Sequence, residues 1–199
     1  MIFQDPSITE IRKMKPATLL DVCFAWMDKE PRWQSNAGRL WDDVKERFCT
    51  APASGSPKFH LCRPGGLAIH SLGVVQNLER FASAMAEDLA SFKTESVLLC
   101  GLFHDLGKIG LPAKSHYTPG SNGWYSAANE GLSVPAMSLY WLGKYHVELE
   151  PAEYQAIMHH DGQYVPEGKW CQFAESRLAL LLHYADYWST MDEKGWPNG

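Results

Sequence analysis

Three apolar stretches of this chain each carry a side chain that such a stretch does not ordinarily contain. His70 lies in Gly65-Gly66-Leu67-Ala68-Ile69-His70-Ser71-Leu72. The adjacent pair His104-Asp105 lies in Leu102-Phe103-His104-Asp105-Leu106-Gly107-Lys108. Asp186 lies in Leu182-His183-Tyr184-Ala185-Asp186-Tyr187-Trp188. An imidazole or carboxylate buried without a partner is costly, so each must find a cation, a donor or an acceptor. The economical solution is a fold that packs the three segments together so that their polar groups meet.

The rest of the sequence reads as helices joined by loops, with no convincing strand alternation, and predicts an all-α bundle. Helical spacing marks Thr18–Lys29, a helix from near Asn36 through Phe48, and a long helix from Gly66 to about Met85 with one inner face. Thr94 can cap the next, which stops at Gly107. Further helices are expected over Ser133–Tyr145, with Ser133 as N-cap and Pro135 in the first turn, over Pro151–His160, and over about Phe173–Met191. The segment 107–128 reads as a long loop, and loops of that length in a compact domain are often functional.

At 199 residues the expectation is one domain, with 1–47 a helical extension and 48–191 the core. The odd set of five cysteines contains no CxxC pair and suggests buried free thiols. No apolar run nears the roughly 18 residues of a membrane span. Residues Met1 to Pro16 have no apolar leader core, so a cytoplasmic location is expected. A net charge of −5 argues against a broad phosphate-binding surface, while leaving room for a small phosphorylated substrate held by a metal and a few lysines.

Neighbouring side chains on a helix point about 100° apart, so His104 and Asp105 serve one site only around something large. A metal ion fits, since imidazole nitrogen and carboxylate oxygen each reach a shared centre about 2.0–2.2 Å away. The glycine that follows breaks the helix and opens the site.

The order His, His-Asp, Asp over helices resembles the HD superfamily of metal-dependent phosphohydrolases, and the likeness covers about Phe48 to Met191. The run from Phe48-Cys49-Thr50-Ala51-Pro52 through Lys58-Phe59-His60 to His70 is similar to phage and bacterial HD hydrolases and to bacterial HD-domain 3′→5′ exoribonucleases. Met158-His159-His160-Asp161-Gly162 resembles their HHG segment. His104-Asp105-Leu106-Gly107-Lys108-Ile109-Gly110 also looks like cyclic-dinucleotide phosphodiesterases of the HD-GYP type, although Gly162-Gln163-Tyr164-Val165-Pro166 only approximates the GYP tripeptide.

The resemblance implies an all-α HD bundle with His70, His104, Asp105 and Asp186 as ligands of one divalent metal. Mn, Mg, Fe, Co, Ni and Zn all accept such a mixed shell. Asp105 would orient the attacking water or take its proton. Lys108 would neutralise substrate phosphate, beside the equal reading of a solvated lysine at a helix end. His160 would contact substrate phosphates, with His159 exposed. Binuclear relatives add two histidines; the second aligns with His160, but the first falls near Asn129 or Glu130, which leaves a second metal in question. His60, His116, His146 and His183 have no partner that the sequence names. The loop aromatics Tyr117, Trp124, Tyr125, Tyr164 and Trp170 are candidates to stack on a base.

The expected activity is hydrolysis of a phosphate bond in a nucleotide, by a nucleotidase or a deoxynucleoside triphosphohydrolase. The partner is then a nucleotide or another phosphorylated small molecule, with nucleic acid and membrane disfavoured and homo-oligomer formation left open. The rivals are a 3′→5′ exonuclease, a cyclic-dinucleotide phosphodiesterase and a non-catalytic metal-binding regulatory module. The roughly 47 residues before the core are few for an added nucleic-acid-binding domain.

Overall fold

The computed structural model describes residues 10, 12–27, 30–34, 36–85, 93–128, 131–163, 165, 169 and 171–196. Its helices are α1 Pro16–Met27, α2 Asn36–Thr50, α3 Gly66–Ala84, α4 Thr94–Phe103, α5 Val134–Lys144, α6 Pro151–His159 and α7 Arg177–Lys194. The structure is mostly helical, in agreement with the bundle that the sequence predicts. Among the described residues no helix is long and apolar enough to cross a membrane.

Helix α3 is the axis. It packs along α7 on one side and α4 on another, with α2 and α1 closing a third. Every residue from Gly66 to Glu79 is buried, so the one-sided inner face read from the sequence is in fact a whole circumference. Leu67, Leu72, Val75 and Leu78 pack with Trp41 and Phe48 of α2 and Phe103 of α4 in one apolar core. Trp41 meets Phe48 edge to face at 5.5 Å, and Phe48 meets Phe103 at 6.5 Å. The polar residues of α3 therefore lie where water cannot serve them, and Asn77, for instance, donates to Ser189 Oγ of α7 at 2.9 Å.

Three local expectations need correction. Thr94 is the first helical residue of α4, and Lys93 is the capping position, without a side-chain cap bond. The segment 107–128 is not all loop: β1 Tyr117–Pro119 pairs antiparallel with β2 Tyr125–Ala127 in a small hairpin. Strands of three residues are too short to show alternation. The last helix starts later and ends later than Phe173–Met191. Phe173 has φ of 65° and is 92% exposed, outside any helix. Ser176 caps α7 instead, its Oγ accepting from Ala179 N at 3.2 Å, and the helix runs on to Lys194.

The contact of α4 with α3 depends on Gly101. A Cβ there would meet Val75 Cγ2 at 2.5 Å and the Val75 backbone at 3.0 Å. Gly143, on exposed α5 surface, has nothing within 4 Å of the same position. Opposite signs are expected for the two alanine substitutions. Gly101→Ala should cost about 1–3 kcal/mol through overpacking. Gly143→Ala should add about 0.4–1 kcal/mol by restricting the unfolded chain. Thermal melting of both variants against the parent protein checks this, and equal shifts would refute the close approach.

Candidate metal centre

The break after α4 aims the His-Asp pair. His104 is the C-cap of the helix, still with helical backbone, but Asp105 leaves it with φ −102° and ψ 12°. The two side chains are thus no longer a helical step apart. Ser138 of α5 holds the break, since its hydroxyl donates to His104 O at 2.8 Å and accepts from Gly107 N at 2.7 Å. Gly107 is required by this approach, as a Cβ would meet Val134 O at 2.1 Å. Asp105, His70 of α3 and Asp186 of α7 then converge from three sides.

The distances are short. His70 Nε2 lies 2.9 Å from Asp186 Oδ1 and 3.7 Å from Asp105 Oδ2. His104 Nε2 lies 3.5 Å from Asp105 Oδ2, and His160 Nε2 lies 3.5 Å from Asp105 Oδ1. His70, His104 and Asp186 offer ligand atoms all within 4.8 Å of one another, as do His104, Asp105 and His160. His70 and His104 are fully buried.

Each ring is oriented by its other nitrogen. His70 Nδ1 sits 3.1 Å from Glu193 Oε2, His104 Nδ1 sits 2.9 Å from Gly101 O, and His160 Nδ1 sits 2.8 Å from Ile157 O. An acceptor at Nδ1 keeps the proton there and turns Nε2 inward, the usual arrangement around a metal. His104 Nε2 is buried without a hydrogen-bond partner among the described residues. An orphaned imidazole nitrogen beside two carboxylates fits a divalent cation, and the donor set matches one that binds nitrogen and oxygen together.

Electrostatics here is collective. Burial alone would push His70 down, but Glu193 and Asp186 outweigh it and carry the ring up to about 10. Burial is likewise outweighed at His160, which Asp105 and Asp161 raise to about 9. Burial would raise both acids, yet Lys108 and His104 hold Asp105 well below the carboxylate range. His70 does the same for Asp186. Lys108 Nζ bonds directly to Asp105 Oδ2, and its side chain is only 14% exposed. Although burial opposes its charge, Asp105 raises it above the ordinary lysine value. The reading of Lys108 as a solvated lysine is thereby corrected.

All six residues singled out from the sequence, His70, His104, Asp105, Lys108, His160 and Asp186, meet at this point. Glu130, the candidate replacement ligand, lies outside the described residues, as do Asn129, Tyr164 and Trp170. His159 is half-buried, not exposed, and is absent from the clusters. Two neighbours were missed. Glu193 follows Asp186 by seven residues, two turns on the same face of α7, which was the available signal. His60 does have a partner: its ring is 4.8 Å from that of His70. Burial, then His70, push it down to about 3, so it is neutral. His183 is also placed, with Nδ1 donating to His160 O at 2.7 Å, and the His116 ring meets Tyr117 at 4.6 Å.

The family model described as HD domain matches residues 67–191, a span that contains every one of these residues except His60 and Glu193. Searches of curated proteins and of solved structures return no match.

Two substitutions separate ligands from their supports. His70→Ala should abolish near-stoichiometric metal content in protein purified without chelator. Glu193→Gln should leave the ligands in place yet weaken metal affinity about 10–100-fold, as loss of an orienting partner does. Competition with a chromophoric chelator measures both. Metal binding that survives loss of His70 and His104 together would place the site elsewhere.

Proposed function

The chain belongs to the HD-domain family, typically metal-dependent hydrolases, and from that premise we propose that it hydrolyses phosphate bonds of nucleotides with one divalent metal held by His70, His104, Asp105 and Asp186. The observation that carries this reading is the convergence of those four residues, in the family's order, with every inward ring nitrogen fixed from behind. A divalent ion bound there supplies Lewis acidity toward a phosphoryl oxygen and lowers the pKa of water.

The side chains divide the remaining work. Asp105 is held low enough to stay ionised, so it is a strong hydrogen-bond acceptor and a weak base. Its role is to orient the attacking water through a carboxylate oxygen. Lys108 Nζ, already at Asp105 Oδ2, lies where it can offer its other N–H groups to phosphate oxygens. His160 Nε2, 3.5 Å from Asp105 Oδ1, the oxygen that Lys108 leaves free, is a second donor toward the phosphoryl group. The net charge of −5 supports a small anion over a long polyanion.

Asp105→Asn keeps the shape and one ligand oxygen while removing the acceptor's charge. Metal-replete Asp105→Asn should lose about two orders of magnitude in turnover on its best substrate, the scale of a lost positioning contact. Rates and metal content are measured together on a panel of nucleotides, dinucleotides and short oligonucleotides. Near-normal turnover with metal in place would leave Asp105 a ligand only. Oligonucleotides cut far faster than any mononucleotide would replace the small-substrate reading with the exonuclease one.

A further inference from the structure

A groove of about 260 Å³ opens beside the metal centre and shares Lys108 with it. Its walls are Tyr117 and Tyr125 of the hairpin, Pro52 and Pro64 of the segment that follows α2, Ile109, and Arg47 of α2. This volume is close to the low end of small-molecule sites, about 300 Å³. It is on the scale of a single small molecule.

The hairpin is a fixed wall. Tyr125 N donates to Gly55 O at 3.0 Å, and Cys62 Sγ donates to Gly123 O at 3.1 Å. A methyl group built on Gly55 would meet Tyr117 Cε1 at 3.2 Å, so that ring lies against the 51–56 segment. The two tyrosine rings stand edge to face, 6.3 Å apart. The lining carries the hydroxyls of Thr50 and Ser115, which donate and accept, and two cations, Arg47 and Lys108, which only donate. Arg47 Nη2 donates to Ile109 O and, at 3.0 Å, to Leu111 O. Among the described residues its hydrogen bonds go to these backbone carbonyls, and Asp43 is the acid that acts on its charge. Lys108 at the other end has no acceptor atom either.

We infer that this groove holds the base and sugar of a nucleoside phosphate, with the base against Tyr117 and Tyr125, its acceptor edge toward Arg47, and the phosphate toward Lys108. The inference rests on the nucleotide reading above and adds where the nucleoside sits. An occupant must be flat in the middle, where tyrosine and proline faces line the walls, and rich in acceptors at both ends. A nucleobase joined through a sugar to a phosphate meets all three demands. A bare sugar phosphate meets only the last.

The probes are nucleoside 5′-phosphonates, whose P–C bond resists hydrolysis, set against methylphosphonate, which lacks base and sugar. Calorimetric titration of the metal-loaded protein should show at least one nucleoside phosphonate binding more tightly than methylphosphonate. Tyr117→Ala should weaken the nucleoside probe at least about fivefold, the lower range for loss of a stacking aromatic. It should leave methylphosphonate affinity unchanged, and Tyr117→Phe should bind the nucleoside probe as the parent does. Arg47→Gln should weaken the same probe alone. Equal affinity of all probes for the parent protein, or nucleoside binding indifferent to Tyr117→Ala, would overturn the groove assignment. The two readings fail separately. Tyrosine-dependent binding without turnover of any nucleotide removes the hydrolase reading and keeps the groove, whereas turnover indifferent to both tyrosines does the reverse.

Discussion

The polar register between α3 and α7 is the interaction on which the rest of this structure depends. A helix buried on all sides from Gly66 to Glu79 would be most stable if wholly apolar, yet this one carries His70 and Asn77 into the core. Both are answered by α7: Asn77 by Ser189, His70 by Asp186 and Glu193. Removing one member of such a buried network strands the others, at a cost of about 3–5 kcal/mol where charge is involved. Apolar packing alone tolerates a slide of one helix along another. These paired groups do not, and they fix where Asp186 stands relative to His70.

The same register explains what was legible in the sequence. His70, His104, Asp105 and Asp186 stood out because each interrupts an apolar run, and interruption is a local property visible without a structure. Lys108 was visible only as a basic residue at a helix end; its burial against Asp105 is a tertiary fact. Glu193 was hidden by its setting. It sits in Asp192-Glu193-Lys194, where Asp192 pairs with Arg12 at 2.6 Å and Lys194 is exposed, so a charged helix end concealed one buried carboxylate. His60 lay in a segment rich in proline and glycine, where no periodicity tells which way a side chain points.

The hairpin marks the other boundary of sequence reasoning. Tyr117–Pro119 and Tyr125–Ala127 have neither the length nor the alternation to announce strands, and their pairing is held from outside, by Gly55 and Cys62. The length of the loop raised the expectation of a functional role there, which the groove inference takes up. Helix-forming segments could be read one by one, because their periodicity is internal to each. A hairpin whose stability comes from its neighbours becomes visible only when those neighbours are in place.

Chemistry at such a centre acts on a phosphoryl group and is indifferent to what that group is attached to. Selectivity must therefore arise at the rim, and the rim here is the loop with its hairpin, carried on the rigid α4–α5 junction that Ser138 clamps. Charge points the same way. The chain is acidic overall, so it does not attract anions broadly, and Lys108 is largely matched by Asp105. Arg47, whose hydrogen bonds among the described residues go to backbone carbonyls, is the other cation that lines the groove. A groove with two local cations and an aromatic wall, holding a nucleoside phosphate as inferred above, selects by shape as much as by charge. That is the physical reason to expect the identity of the base, more than the number of phosphates, to decide which substrate it prefers.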